Sequence, residues 1–205
     1  MKPRKAKEDR NTTETQIKAT VNVDGSGKAK IKTPIGLLNH MLELFTFHGF
    51  FDLELTVKGD THIDIHHSNE DIGIALGKAF KKALGDKKGI RRFGSAFAPM
   101  EDTLGQTVID ISGRGHFKIA FLVPKIVPVL KSEDNYSFQH LEHFMDSFAK
   151  QLGANIIVII QNYSSTDLHT IMETVFKSLG LALDQATQID PRRKGSVPST
   201  KGIID

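Results

Sequence analysis

The apolar positions of this chain change period several times, and each change marks an element. Residues 36–48 carry Leu37, Leu38, Met41, Leu42 and Phe45 at helical spacing, and residues 138–152 offer a comparable stripe, which predicts two amphipathic helices. Phe51, Leu53, Leu55 and Val57 alternate with polar neighbours as in a half-buried strand. Residues 156–160 form an unbroken apolar run, suited to a more deeply buried strand placed centrally in its sheet. Over 69–84 the positions Ile72, Leu76, Ala79, Phe80 and Leu84 share one helical face, with Asn69 as N-cap and Glu70 and Asp71 in the first turn; residues 170–186 repeat that helix. Two further strands precede each of these units. They are 15–23 and 28–32, joined by Asp24-Gly25-Ser26-Gly27, then 107–112 and 116–122, joined by Gly113-Arg114-Gly115.

The order of elements recurs, and so do individual residues. Adding 103 to the residue number takes His40 to His143, Phe45 to Phe148, Asp52 to Asn155, His66 to His169, Glu70 to Glu173, Leu76 to Leu179, Gly77 to Gly180 and Ala79 to Ala182. Register kept over this distance signals duplication. Each half reads strand, strand, helix, strand, helix. The expected fold is α+β, with two duplicated half-domains, 1–92 and 93–190, each a small sheet with two helices on one face, packed together and followed by a tail, 191–205.

Composition narrows the chemistry. With 205 residues, 39% of them hydrophobic, the chain can build a core, and it has no apolar run of membrane-spanning length. The charged start, without an apolar signal region, adds the expectation of a cytoplasmic protein. There is no cysteine, so any metal must be held by imidazole and carboxylate, a ligand set that favours manganese, iron or zinc. The net charge of +3 is small, and the basic residues fall in short clusters that suit phosphate ligands as well as nucleic acid.

The repeated residues are the candidate chemistry. In His66-His67-Ser68-Asn69-Glu70, His66 and Glu70 share one side of a helical turn, while the adjacent imidazoles point about 100° apart and can serve two metals. With His40 they make a first constellation; His143, His169 and Glu173 make the second, with Thr170 where the partner of His67 should be. The predicted ligands are therefore His40, His66, His67, Glu70, His143, His169 and Glu173, seven where a symmetric pair of sites would use eight. The remaining histidines, His48, His62, His116 and His140, have no repeat partner and are read as structural or orienting, with His62 and Asp64 foremost in the orienting role. The tail from Pro191 to Gly202 combines hydroxyls, cations and glycine, the groups that wrap a phosphate, with Ser199 and Lys201 alternating toward one ligand; Arg92, Arg114 and Lys177 are further candidates.

These motifs carry a resemblance. Arg10-Asn11-Thr12-Thr13-Glu14-Thr15, Leu38-Asn39-His40-Met41-Leu42, His66-His67-Ser68-Asn69-Glu70-Asp71, Arg92-Phe93-Gly94, Asp110-Ile111-Ser112-Gly113-Arg114, Glu142-His143-Phe144 and Pro198-Ser199-Thr200-Lys201-Gly202 resemble, in order and over nearly the whole chain, the imidazoleglycerol-phosphate dehydratase family. The resemblance implies a hydro-lyase of histidine biosynthesis that converts imidazole glycerol phosphate to imidazole acetol phosphate. It implies two Mn2+ ions per active site, in sites completed between subunits of a homo-oligomer, typically of twenty-four chains, with no nucleic-acid or membrane partner. Carried onto this chain, Glu14 is the acid/base, Glu70 and Glu173 join it in the catalytic set, and Arg92, Arg114, Lys177, Ser199 and Lys201 grip the phosphate. The family's second His-His-x-x-Glu reads His169-Thr170-Ile171-Met172-Glu173 here, Ile65 stands where an aspartate is common, and residues 164–168 and 127–136 depart from the family pattern. The alternative is a weakly active or non-catalytic homologue with one metal site impaired by Thr170; a dinuclear hydrolase is a third use of such residues.

Overall fold

The structure, a computed structural model, describes residues 3–59, 64–122, 131–162 and 167–204. The first half contains β1 (Lys5–Asn11), β2 (Thr15–Asn22), β3 (Ala29–Lys32), α1 (Gly36–His48), β4 (Asp52–Gly59) and α2 (Ile65–Leu84). The second contains β5 (Phe93–Met100), β6 (Thr103–Asp110), β7 (His116–Leu122), α3 (Phe138–Leu152), β8 (Asn155–Asn162) and α4 (Leu168–Thr187), and a 3-10 turn, Pro191–Arg193, follows. Two four-stranded sheets result, ordered β1-β2-β4-β3 and β5-β6-β8-β7. This is the expected duplicated α+β architecture. Within each half the helices pack on the half's own sheet, and the two helical layers meet with α2 against α3 and α1 against α4.

Three features differ from the pattern read in the sequence. Each sheet gains a first strand. In β1 this was hidden by a charged composition, and in β5 by small buried residues, Gly94, Ala96 and Ala98, that leave room for α4. The second and third strands form no hairpin, because β4 lies between them, antiparallel to β2 and parallel to β3. The turn after β2 closes over Asp52 instead, whose Oδ1 accepts the backbone N–H groups of Ser26 at 2.8 Å and Lys28 at 3.2 Å. Finally, α2 starts earlier than Asn69. Asp64 is its N-cap, accepting the N–H of His66 at 2.9 Å, so both histidines lie in the first turn. Asn69 ties α2 to α3, accepting from the buried Tyr136 hydroxyl and donating to His140 O, each at 2.7 Å.

Register makes the duplication quantitative. Asn22 pairs with Asp52 as Asp110 pairs with Asn155, so the early strands correspond at an offset of 88 and the later elements at 103. The second half therefore carries 15 extra residues between β7 and α3.

Two glycines related by the repeat, with Gly73 beside them, let the halves meet. A Cβ on Gly77 of α2 would lie 2.6 Å from Phe148 O of α3, and one on Gly180 of α4 would lie 2.6 Å from Phe45 O of α1. Phe45 and Phe148 are themselves repeat partners and meet edge to face across the halves, with ring centroids 6.2 Å apart. Both are buried, each worth about 1.5–3 kcal/mol of transfer free energy. The helix pairs are thus related by a pseudo-twofold operation that maps α1 on α4 to α3 on α2. Among the described residues no helix is long and apolar enough to cross a membrane.

Candidate metal centre

The same operation decides which candidate ligands meet. Since α1 lies on α4, His40 of the first half reaches the second-half pair four residues apart on α4. Its Nε2 is 3.2 Å from Glu173 Oε1, and His169 Nε2 is 3.1 Å from that oxygen. Among the described residues this is the one group of three histidine or acidic side chains whose ligand atoms all lie within 4.8 Å of one another. Its repeat counterpart is His143 of α3 with His66 and Glu70 of α2. Here His143 Nδ1 and His66 Nδ1 are 3.1 Å apart, and His66 Nε2 is 3.5 Å from Glu70 Oε2. Each trio takes one histidine from one half and a histidine and a glutamate from the other. The constellations written along the chain are therefore exchanged in space, a consequence of helix packing that spacing does not reveal.

Electrostatics around the first trio favour charge. Glu173 is only 8% exposed, yet its Oε2 accepts from Lys177 Nζ and its Oε1 faces the two imidazoles. Burial works against its ionisation, but Lys177 and His40 outweigh that and hold the carboxyl below its ordinary range. Burial likewise opposes a proton on His169. Bonds to Glu133 and Glu173 prevail, and its pKa lies above the usual histidine value. The Glu133 contact, His169 Nδ1 to Oε1 at 3.0 Å, leaves Nε2 facing Glu173, the arrangement by which a carboxylate orients a ligating imidazole. Sequence reasoning missed Glu133; it stands in the inserted stretch, where no period or repeat marks it. His48, near Lys177 and Glu173, is held below the usual value by burial first and Lys177 second.

Two imidazoles and a carboxylate, without thiolate, fit a borderline divalent cation. Thr170 lies outside both trios. Buried in the first turn of α4, it donates from Oγ1 to the N-cap Asp167 at 2.8 Å, so it serves the helix terminus. His67 turns away from its neighbour, the rings 71° apart, and its Nδ1 is 3.8 Å from Glu14 Oε2. Glu14 is exposed beside a cleft of about 450 Å³ lined by Thr12, Thr15, Gln16 and Lys58 among others. Asp64 caps α2, while His140 closes the capping box of α3 with Ser137; His62 lies outside the described residues.

The predicted phosphate ligands do not converge within one chain. Arg92 pairs through Nε and Nη2 with Asp110, at 2.6 and 3.0 Å, and donates from Nη1 to Pro198 O at 2.9 Å, so it anchors the tail that carries Ser199 and Lys201. Ser199 Oγ accepts the N–H of Lys201 at 3.2 Å. Lys177 stands at the first trio, and Arg114 in the turn between β6 and β7, its N–H directed at Ser112 Oγ.

This arrangement has known relatives. A family profile described as imidazoleglycerol-phosphate dehydratase matches residues 33–183. The chain belongs to the imidazoleglycerol-phosphate dehydratase family. It is 49% identical over 195 residues to the imidazoleglycerol-phosphate dehydratase of Geobacillus kaustophilus, covering 95% of this chain and 96% of that one. With the Bacillus pumilus protein of the same name the identity is 45% over 201 residues, covering 98% and 100%. Among solved structures, IGPD from Pyrococcus furiosus in complex with (S)-C348 superposes with a TM-score of 0.78 at 33% identity, covering 95% of this chain and 99% of that one. The imidazoleglycerol-phosphate dehydratase of Staphylococcus aureus gives 0.75 at 28% identity, covering 91% and 99%. Family membership extends over both halves and therefore over both trios.

Proposed function

We propose that the chain is a hydro-lyase that removes water from imidazole glycerol phosphate to give imidazole acetol phosphate, a step of histidine biosynthesis. The observation that carries this reading is the convergence of His40, His169 and Glu173 across the two halves; its repeat counterpart, His143, His66 and Glu70, is looser, with His66 turning Nδ1 to His143 and Nε2 to Glu70. In this reading each trio holds one Mn2+, and Thr170 removes nothing from either. The bound cation supplies Lewis acidity toward the substrate's imidazole, which renders a neighbouring C–H acidic. Glu14 takes the proton from that carbon while hydroxide leaves the adjacent one, the two departing as water, and the enol left behind is protonated at the carbon that lost the hydroxyl to give the ketone. Glu173, kept anionic by Lys177, and Glu70 complete the charge of the two centres. Arg92, Arg114, Lys177, Ser199 and Lys201 grip the phosphate, so that binding energy remote from the reacting carbon positions it.

Because those phosphate ligands lie apart in one chain, the reading takes the site as completed by a neighbouring copy in a cytoplasmic homo-oligomer, of twenty-four chains by the resemblance. The sheets support association. Their registers match, but their outer faces differ: the row Asp9, Lys18, Thr56 and Lys32 crosses the first, whereas the matching row of the second is Phe97, Gln106, Ile159 and Ala120, beside a row of Ser95, Val108, Ile157 and Lys118. Phe97 is 57% exposed and Ile157 44%, an apolar face that a further copy would cover. The same reading treats 1–92 and 93–190 as the half-domains and 191–205 as the phosphate-gripping tail. The test is assay of the purified, manganese-loaded protein with imidazole glycerol phosphate, together with metal counting. Formation of imidazole acetol phosphate with two ions per chain is expected; loaded protein that yields no product would overturn the reading.

A further inference from the structure

The turn that carries Glu14 is held by a polar network that, among the described residues, has no copy in the second half. Arg10 of β1 donates from Nε to Asp71 Oδ1 at 2.8 Å, and Thr15 of β2 donates from Oγ1 to Asp71 Oδ2, so the strands flanking the turn are both tied to one carboxylate on α2. Inside the turn, Thr12 Oγ1 accepts the N–H groups of Glu14 at 3.2 Å and Thr15 at 2.9 Å. Asp71 and Thr15 are 7% and 2% exposed, so the carboxylate is taken from water and needs both partners. One helical turn before Asp71 stands His67, the residue Glu14 faces.

The duplication supplies a control. By sheet register and helix offset, Arg10, Thr12, Glu14, His67 and Asp71 correspond to Ala98, Met100, Asp102, Thr170 and Thr174. The second half closes the same strand pair onto α4 without the network, Thr174 Oγ1 bonding instead to Ile171 O of its own helix at 2.8 Å. The fold thus does not require a buried carboxylate here. What the first half has in addition is the pairing of Glu14 with His67.

We propose that Asp71, acting through Arg10, Thr15 and Thr12, is the positioning residue for Glu14, fixing its carboxylate over the N-terminal turn of α2. This rests on the reading above that Glu14 is the acid/base. A displaced general base loses rate much more than affinity, since substrate is held by other groups.

The experiment compares the manganese-loaded enzyme with Asp71→Asn, Thr12→Ala, Thr12→Ser and Glu14→Gln, singly and with Asp71→Asn or Thr12→Ala placed in the Glu14→Gln background. Asp71→Asn and Thr12→Ala are expected to lower kcat about 10–100-fold with KM within about threefold, the scale of an ångström-sized misplacement. Thr12→Ser restores the rate, and both network variants change the residual rate of Glu14→Gln less than about twofold, the non-additivity of groups acting as a unit. Equal losses in both backgrounds, or an unchanged kcat in Thr12→Ala, would overturn the inference while leaving the role of Glu14 intact. A Glu14→Gln enzyme of undiminished kcat would instead remove the reading and the inference together. Thr12 is exposed, so its variants decide the matter if Asp71→Asn fails to fold.

Discussion

Replacing Gly180 by alanine places a Cβ 2.6 Å from Phe45 O and 3.1 Å from Gly49 N, both backbone atoms that cannot rotate aside. Ordinary contact begins at 3.4 Å, so α4 and α1 must separate by roughly 0.8 Å along that vector. Such overpacking costs about 1–3 kcal/mol, and the backbone partners place it near the upper end. Alanine's helix propensity returns about 1 kcal/mol. The net loss is then about 2 kcal/mol, or a fall in Tm of roughly 4–8 °C for a chain of this length. The functional consequence follows from the same displacement. His40 lies on α1 before Phe45 and Glu173 lies two turns before Gly180, so separating the helices opens the 3.2 Å contact between them. Calorimetric melting with manganese titration should show a lowered Tm and about tenfold weaker binding at one of two sites, the change expected when ligand orientation is lost. Gly77→Ala should do the same to α2 on α3 and thus to the other trio. A Tm that rises, as glycine to alanine does in an unencumbered helix, would refute the close-approach argument, and unaltered metal binding would refute its link to the site.

The remaining predictions concern charge and surface. Metal affinity should weaken as pH falls through the raised pKa of His169, since its protonated ring cannot ligate; Glu133→Gln removes a bond that raises that pKa, so calorimetric titrations across about pH 5–8 should place its midpoint lower. Asp167→Ala should cost about 1 kcal/mol of stability at neutral pH by loss of the α4 cap. Burial opposes ionisation of Asp167, but bonds from Thr170 and His169 outweigh it and hold the carboxyl below its ordinary range, so its contribution is present above that range and vanishes as pH falls through the folded pKa. Denaturation of wild type and variant should therefore converge in acid, and a gap that persists there would contradict the assignment. Phe97→Lys or Ile157→Lys should yield smaller assemblies in sedimentation velocity, with Thr56→Ala on the first sheet unchanged; equal behaviour of all three would exclude the second sheet's outer face as an interface.

Much of this molecule was written in its sequence. The helical stripes of 36–48 and 138–152 coincide with α1 and α3, because burial of one helical face imposes its period locally. The repeat from His40 to Gly180 announced two equivalent halves, and the motifs around Glu14, His66 and the tail announced the family. Strands made of charge or of small residues, as in Lys5–Asn11 and Phe93–Met100, carried no such period. The grouping of the candidate ligands was decided elsewhere. Spacing put His66 beside Glu70 and His169 beside Glu173, but only the packing of α1 on α4 and α2 on α3, made close by Gly180 and Gly77, brought His40 to Glu173 and His143 to His66. A turn of helix is a local property of a few residues. Which helix lies across it is settled by volumes and backbone contacts between residues 71 positions apart at Gly77 and Phe148 and 135 apart at Gly180 and Phe45, and a tertiary contact likewise set the place of Glu133 against His169.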